Sequence, residues 1–262
     1  MRSVSTIFST FSQPMRVLVT GASRGIGRAM VHALLGVPSL NRVFITSRHA
    51  TGDRRIAELA SKSGGRLHAL DMDVTLEASI SAAVAAVSAE TEQLDLIINC
   101  AGLLHDGAQL QPEKRLADVT PASLHRCFAV NTVGPLLVAK HFQALLPRRD
   151  RAVFASLSAR VGSIGDNRLG GWYSYRTSKA AQNMVTKNLS IELRRRATGI
   201  ICVGLHPGTV DTGLSRPFQG NVSGDQLFSA ERAAQQLLTV IDGLEPTDNG
   251  EFFAWNAQNI PW

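Results

Sequence analysis

Cysteine, tyrosine and long apolar runs are all scarce in this chain of 262 residues, and each shortage removes a class of protein. The three cysteines, Cys100, Cys127 and Cys202, are odd in number, far apart and set in apolar segments. Such a pattern supports neither a disulfide framework nor cysteine-rich metal spacing, and it reads as a reducing compartment. The seven histidines include no H-E-x-x-H or similar pair, so no metal is expected. The longest apolar stretches are strand-sized, such as Val17-Leu18-Val19 and Leu94-Asp95-Leu96-Ile97-Ile98. A membrane-spanning helix needs about 20 apolar residues, so no span is expected. Internal repeats and low-complexity linkers are also missing, and one large unit over 15–262 is the expectation.

Acidic residues are fewer than basic ones, 21 against 27, for a formal net charge of +6. The basic residues are mostly dispersed. Two local runs, Arg148-Arg149-Asp150-Arg151 and Arg194-Arg195-Arg196, fall at expected helix ends, where cations complement the helix dipole. Without a nucleic-acid-binding motif, nucleic acid is not an expected partner. A polyphosphate cofactor would use the same charge. Residues 1–14 are rich in Ser and Thr, contain no acid and lack the apolar core of a secretory signal. They read as a disordered extension or an early start ahead of Met15, in a cytoplasmic protein; a mitochondrial transit segment is the alternative.

From Met15 onward, short β-branched runs alternate with helix-length amphipathic stretches, the pattern of an α/β fold. Strands are expected near 16–20, 42–46, 66–70, 94–99, 152–156, 200–205 and 251–254, and helices near 25–35, 54–61, 76–90, 121–146, 173–195 and 230–242. This predicts a doubly wound, Rossmann-type parallel sheet of about seven strands with helices on both faces. Ligands of such sheets bind beyond the carboxyl ends of the strands.

The first of those loops reads Thr20-Gly21-Ala22-Ser23-Arg24-Gly25-Ile26-Gly27, leaving a strand and entering a helix. Glycines let the backbone turn tightly and approach a pyrophosphate, and the helix N-terminus offers unpaired N–H groups. After the second strand, where an NAD-binding fold places an acid on the ribose, the chain has Ser47-Arg48-His49. An acid would repel a 2′-phosphate and Arg would pair with it, so Arg24 and Arg48 favour NADP(H) over NAD(H), unless both simply face solvent. Asp73, followed by Val74, is placed either to accept from an adenine amino group or to start a helix at Thr75. Asn99-Cys100-Ala101-Gly102 ends the fourth strand with small residues that admit a cofactor close to the backbone.

Tyr175-Arg176-Thr177-Ser178-Lys179 is the most informative unit. Helical i, i+4 spacing puts phenol and ammonium on one face, where the cation can lower a phenolic pKa from about 10 toward working pH. Tyr175 then qualifies as a general acid or base.

Together these motifs resemble the short-chain dehydrogenase/reductase family, in the same order and over nearly all of the chain from Met15. The resemblance implies that Gly21, Ser23, Arg24, Gly25, Ile26 and Gly27 hold the cofactor, with Ser47, Arg48, Asp73, Val74, Asn99, Ala101 and Gly102. It implies that Tyr175 and Lys179 are the catalytic pair and also touch the cofactor. Ser158 would orient the substrate, Asn131 would support a proton path to Lys179, and Pro207, Gly208, Val210 and Thr212 would hold the nicotinamide. Two departures stand out: Cys100 replaces the family's second Asn, and Tyr175 follows Ser158 by 17 positions, more than the usual family gap, which keeps Ser156 and Ser163 as alternatives. The loop from Gly162, the Trp172-Tyr173-Ser174-Tyr175 run and the ending from Gly250 to Trp262 are similar to the subgroup named for the bacterial C-factor signalling protein.

The resemblance implies reversible hydride transfer between NADPH/NADP and a carbonyl or secondary alcohol of a small substrate. The segment 213–229, carrying Leu214, Pro217, Phe218, Val222, Leu227 and Phe228, reads as a mobile apolar lid and suits a moderately apolar substrate. A homodimer or homotetramer is implied through helices 121–146 and 173–195, with Leu136, Leu137, Phe142, Met184, Leu189 and Leu193 as candidates for core or interface. An NADP(H)-binding signalling or regulatory protein with little turnover is the alternative.

Overall fold

Runs of Val, Ile, Leu and Phe too continuous for a half-exposed strand build a sheet buried on both faces. The structure, a computed structural model, describes residues 8, 11, 14–107, 109–220, 223–224 and 226–262. Its strands are β1 (Met15–Thr20), β2 (Leu40–Ser47), β3 (Leu67–Asp71), β4 (Leu96–Asn99), β5 (Ala152–Leu157), β6 (Ile200–His206), β7 (Thr209–Val210), β8 (Leu227–Phe228) and β9 (Phe252–Ala254). Its α-helices are α1 (Gly25–Leu35), α2 (Arg54–Ser61), α3 (Glu77–Ser88), α4 (Pro121–Phe128), α5 (Gly134–Phe142), α6 (Tyr173–Arg196) and α7 (Ala230–Gly243).

Seven strands form one parallel sheet in the order β3-β2-β1-β4-β5-β6-β9. This is the expected Rossmann-type arrangement. The order reverses between β1 and β4, which opens a crevice at their carboxyl ends. Alternate residues of each strand feed two cores. Val17, Val19, Ile45 and Ile98 pack with Met30 and Leu34 of α1 and with Leu237 and Ile241 of α7. Leu18, Phe44, Ile97 and Phe154 pack on the other face with Ile80 of α3, Val138 and Phe142 of α5 and Leu193 of α6. Burial of each such side chain contributes roughly 1.5–3 kcal/mol.

The single helix expected over 121–146 is broken. A π-helical turn, Ala129–Val133, separates α4 from α5, and a 3-10 turn, Gln143–Leu145, ends the run. Pro135 has no N–H to return to the Asn131 carbonyl one turn earlier, so the α ladder cannot continue there.

Most of residues 1–14 lie outside the described residues. Phe8 and Phe11 are 1% and 9% exposed and join the α1 and α7 core, and the Arg151 guanidinium lies 4.6 Å from the centre of the Phe11 ring.

Candidate active site

The glycine loop leaves β1 and packs where side chains cannot fit. Gly21 has φ +65°, and a Cβ there would lie 2.6 Å from the Ala101 nitrogen; a Cβ on Gly27 would lie 2.6 Å from the Gly21 oxygen. Gly25, at φ +54°, faces the Thr212 side chain. The loop, Ala101 and Thr212 therefore meet in one place although they are far apart in the chain. Helix α1 starts here with no capping side chain and no acid in its first turn, so its N-terminal N–H groups are available to an anion. Ser23, half-buried, and Arg24, exposed, flank the turn, and Ile26 packs behind it against Val210, Phe228 and Ala233. At the end of β2, Ser47 is half-buried and Arg48 exposed. Neither arginine makes an ion pair among the described residues.

The other expected cofactor residues make the following contacts within the protein. Asp73 Oδ1 accepts from the Thr75 nitrogen at 2.9 Å and the Thr75 hydroxyl at 2.7 Å, in a turn ahead of α3, which starts at Glu77 and is not capped by this side chain. Val74 is buried in the α3 and α5 core. Asn99 lies in the sheet, its Nδ2 donating to Ser156 Oγ at 3.2 Å. Gly102 faces Asn131 Oδ1. Pro207 precedes Gly208, whose φ of +79° and closeness to Phe228 leave no room for a side chain. Val210 is buried beside that ring.

Helix α6 turns an unusually polar face to the sheet: Tyr175, Ser178, Lys179, Gln182, Asn183 and Thr186 are all buried. Their i, i+3 and i, i+4 spacing aligns them over the end of β5. Lys179 Nζ donates to the Leu157 carbonyl at 2.7 Å and to Gln182 Oε1 at 2.8 Å, and it stands 5.9 Å from the centre of the Tyr175 ring. The Tyr175 hydroxyl has no hydrogen-bond partner among the described residues. Asn131, within the π turn, exchanges hydrogen bonds with the Leu103 backbone, both 2.8 Å, and donates to Ser178 Oγ at 3.0 Å.

Each candidate serine is engaged elsewhere. Ser158 Oγ donates to Asn183 Oδ1 at 2.6 Å, Ser156 accepts from Asn99, and Ser163 Oγ donates to the Pro261 carbonyl. The long loop after Ser158 is pinned to the chain's last residues, since the Gly165 nitrogen also donates to the Trp262 carbonyl at 2.9 Å.

Burial dominates the electrostatics. It pushes the Lys179 ammonium down to about 7 and raises the Tyr175 phenol well above its ordinary value, helped by the nearby Cys127. The expectation that Lys179 pulls the phenol down is thus not met in this arrangement, because burial sets the direction and Lys179 is tied to Leu157 and Gln182 instead. Cys100 and Cys127 are pushed up to about 12 and 11, so neither is a ready thiolate.

Two further features escaped the sequence reading. Buried Glu113 binds the first turn of α6, accepting from the Ser174 nitrogen at 3.1 Å and from the Ser174 hydroxyl, while its carbonyl accepts from the Trp172 nitrogen. Trp172 itself is held at φ +51°. Its ring meets Tyr175 at 6.3 Å and Phe218 at 5.1 Å, and Phe218 meets His105 at 5.6 Å. The expected lid thus reaches the tyrosine through Trp172, with Phe218 in a 3-10 turn and β8 paired to β7. Val222 lies outside the described residues.

A family model for short chain dehydrogenase matches residues 15–222. The chain belongs to the short-chain dehydrogenase/reductase family. Among its relatives in this family, C-signal of Myxococcus xanthus is 36% identical over 175 residues, 66% of this chain and 95% of that protein. The 1-hydroxy-2-glutathionyl-2-methyl-3-butene dehydrogenase of Rhodococcus sp. (strain AD45) is 31% identical over 252 residues, 94% of this chain and 99% of that one. The NADPH-bound carbonyl reductase from chicken fatty liver superposes with a TM-score of 0.83 at 31% identity, covering 95% of this chain and all of the other. The family and these neighbours make the chain a dehydrogenase/reductase. No helix among the described residues is long and apolar enough to cross a membrane.

Proposed function

We propose that the chain is an NADP(H)-dependent carbonyl reductase, acting reversibly on a carbonyl or secondary alcohol of a small, moderately apolar substrate. The observation that carries this reading is the buried pair Tyr175 and Lys179 facing the end of β5, on the same side of the sheet edge as a glycine cradle that no side chain could share. The cradle and the uncapped start of α1 fit a dinucleotide pyrophosphate, and the exposed Arg24 and Arg48 fit a 2′-phosphate. Lys179, Pro207, Gly208, Val210 and Thr212 would hold the nicotinamide end.

The bound cofactor supplies the hydride, and the residues supply proton, orientation and charge. Tyr175 donates its phenolic proton to the carbonyl oxygen. Its raised pKa keeps that proton in place until charge develops on the substrate. Lys179, in its protonated form, stabilises the phenolate left behind. Ser158 donates to the carbonyl oxygen once its hydroxyl leaves Asn183. Asn131 fixes the Leu103 loop and Ser178 behind Tyr175, on the side from which a proton would be returned. Trp172 and Phe218 present an apolar wall beside Tyr175 that suits the apolar part of a substrate.

Val133, Leu136, Met184 and Ile191 leave an exposed apolar surface on the π turn, α5 and α6, which suits pairing of two copies. Phe142 and Leu193 belong to the core instead.

The test is consumption of NADPH and of NADH against a panel of aldehydes, ketones and quinones. Turnover with NADPH supports the reading. Tight NADPH binding without turnover by any of them favours the signalling or regulatory reading, which the likeness to C-signal also supports.

A further inference from the structure

The geometry points to Gln182 as a positioning residue that holds the Lys179 side chain, in its protonated form, against the end of β5. The inference rests on the proposed role of Lys179. An ammonium has three N–H donors and no acceptor. Two of the three are spent on the Leu157 carbonyl and Gln182 Oε1. Gln182 Nε2 donates to the same Leu157 carbonyl at 3.3 Å, so Lys179, Gln182 and Leu157 close a small ring of hydrogen bonds. All of it is buried: Lys179 and Gln182 are 3% and 1% exposed. One N–H is left to face the site.

Nothing else among the described residues offers the ammonium comparable support. Tyr175 lies one turn earlier on α6, Cys100 follows β4, and Cys127 faces it from α4; no carboxylate lies within ion-pair distance of Lys179. Both thiols are held neutral by burial. The Gln182 carbonyl oxygen is therefore the one side-chain acceptor that offsets the cost of a buried cation. An apolar residue at 182 would leave the ammonium with Leu157 alone and release it from its fixed direction. A carboxylate there would hold it harder.

Two variants give opposite signs. The readout is the titration of Lys179 in cofactor-free protein labelled with 13C at lysine Cε, followed by NMR. The chain has five lysines, so the buried one stands apart from the ordinary ones near about 10.4. In Gln182→Leu, Lys179 should bind its proton about tenfold or more weakly, and in Gln182→Glu more tightly. The alkaline limb of NADPH-dependent reduction should move the same way, to lower pH in the first and higher in the second. An unchanged Lys179 titration in both variants, or movement of both in one direction, overturns the inference. If Gln182→Leu does not fold, Gln182→Glu decides alone, since Lys179 must then titrate at higher pH. The titration needs no substrate, so absence of turnover would count against the proposed function and not against this one.

Discussion

The Ser158 hydroxyl donates to Asn183 Oδ1 at 2.6 Å, and both residues are buried. The serine expected to orient a substrate is thus bound to the helix that carries Tyr175 and Lys179, through the residue after Gln182. Reaching a carbonyl requires exchange of one hydrogen bond for another. Ser158→Ala should lower kcat/KM by about 10²-fold, the scale of one lost donor at a developing oxyanion. Asn183→Ala leaves the buried hydroxyl without its acceptor and should cost about 1–3 kcal/mol of stability in denaturant unfolding. Equal activity in wild type and Ser158→Ala would remove Ser158 from the mechanism.

Cofactor choice should lie with two exposed guanidiniums. Arg24→Ala combined with Arg48→Asp should weaken NADPH binding by at least about 100-fold, since each charge-assisted hydrogen bond to a phosphate contributes about 1.5–3 kcal/mol and two are lost. NADH binding should change little or improve. Calorimetric titration of both nucleotides decides, and equal loss for the two would show that the arginines do not read the 2′-phosphate.

Gly21→Ala should be far more damaging than an exposed glycine substitution such as Gly64→Ala. A Cβ at 21 meets the Ala101 backbone at 2.6 Å in a left-handed turn, whereas nothing lies within 4 Å of one at Gly64, which shares the positive φ. Because the φ strain is common to both, their difference isolates the clash, about 1–3 kcal/mol of overpacking. Thermal unfolding of the two variants measures it.

Stability should depend on pH through the same buried pair. Lys179 holds its proton only up to about 7 in the fold but to about 10.4 in an unfolded chain. Between those values the unfolded state binds the extra proton, so stability rises with pH. Tyr175 acts in the opposite sense: its phenol is raised in the fold, so above about 10 the unfolded chain loses the proton first and stability falls. In cofactor-free protein, Lys179→Met should flatten the rise and Tyr175→Phe the fall, read from urea midpoints across pH. A wild-type curve that is flat from 7 to 10 would contradict the burial argument.

Much of the fold was legible because each signal was local. Strand-length β-branched runs separated by amphipathic stretches gave the sheet, and α1 and α2 fall on their expected bounds. The glycine loop and Tyr175 with Lys179 were readable for the same reason. The break at Ala129–Val133 was missed because the apolar periodicity runs through it, although Pro135 was a visible signal. The Ser158–Asn183 bond joins a strand end to a helix and has no signature along the chain. Glu113 caps α6 from 61 residues away, which spacing cannot reveal. Gln182 and Asn183 did leave a trace: both stand at i+3 and i+4 from Lys179, where a core-facing helix ordinarily carries apolar residues. Phe8 and Phe11 lie in a polar segment, so composition hid their burial.

The most direct measurement is turnover of NADPH with a carbonyl substrate by wild type and Tyr175→Phe, with NADPH affinity and unfolding measured on both. The phenolic oxygen has no hydrogen-bond partner to lose among the described residues, so the variant should fold and bind NADPH as wild type does while kcat falls at least about a hundredfold. A variant that turns over within a few-fold of wild type would contradict Tyr175 as the proton donor and, with it, the proposed chemistry of the site.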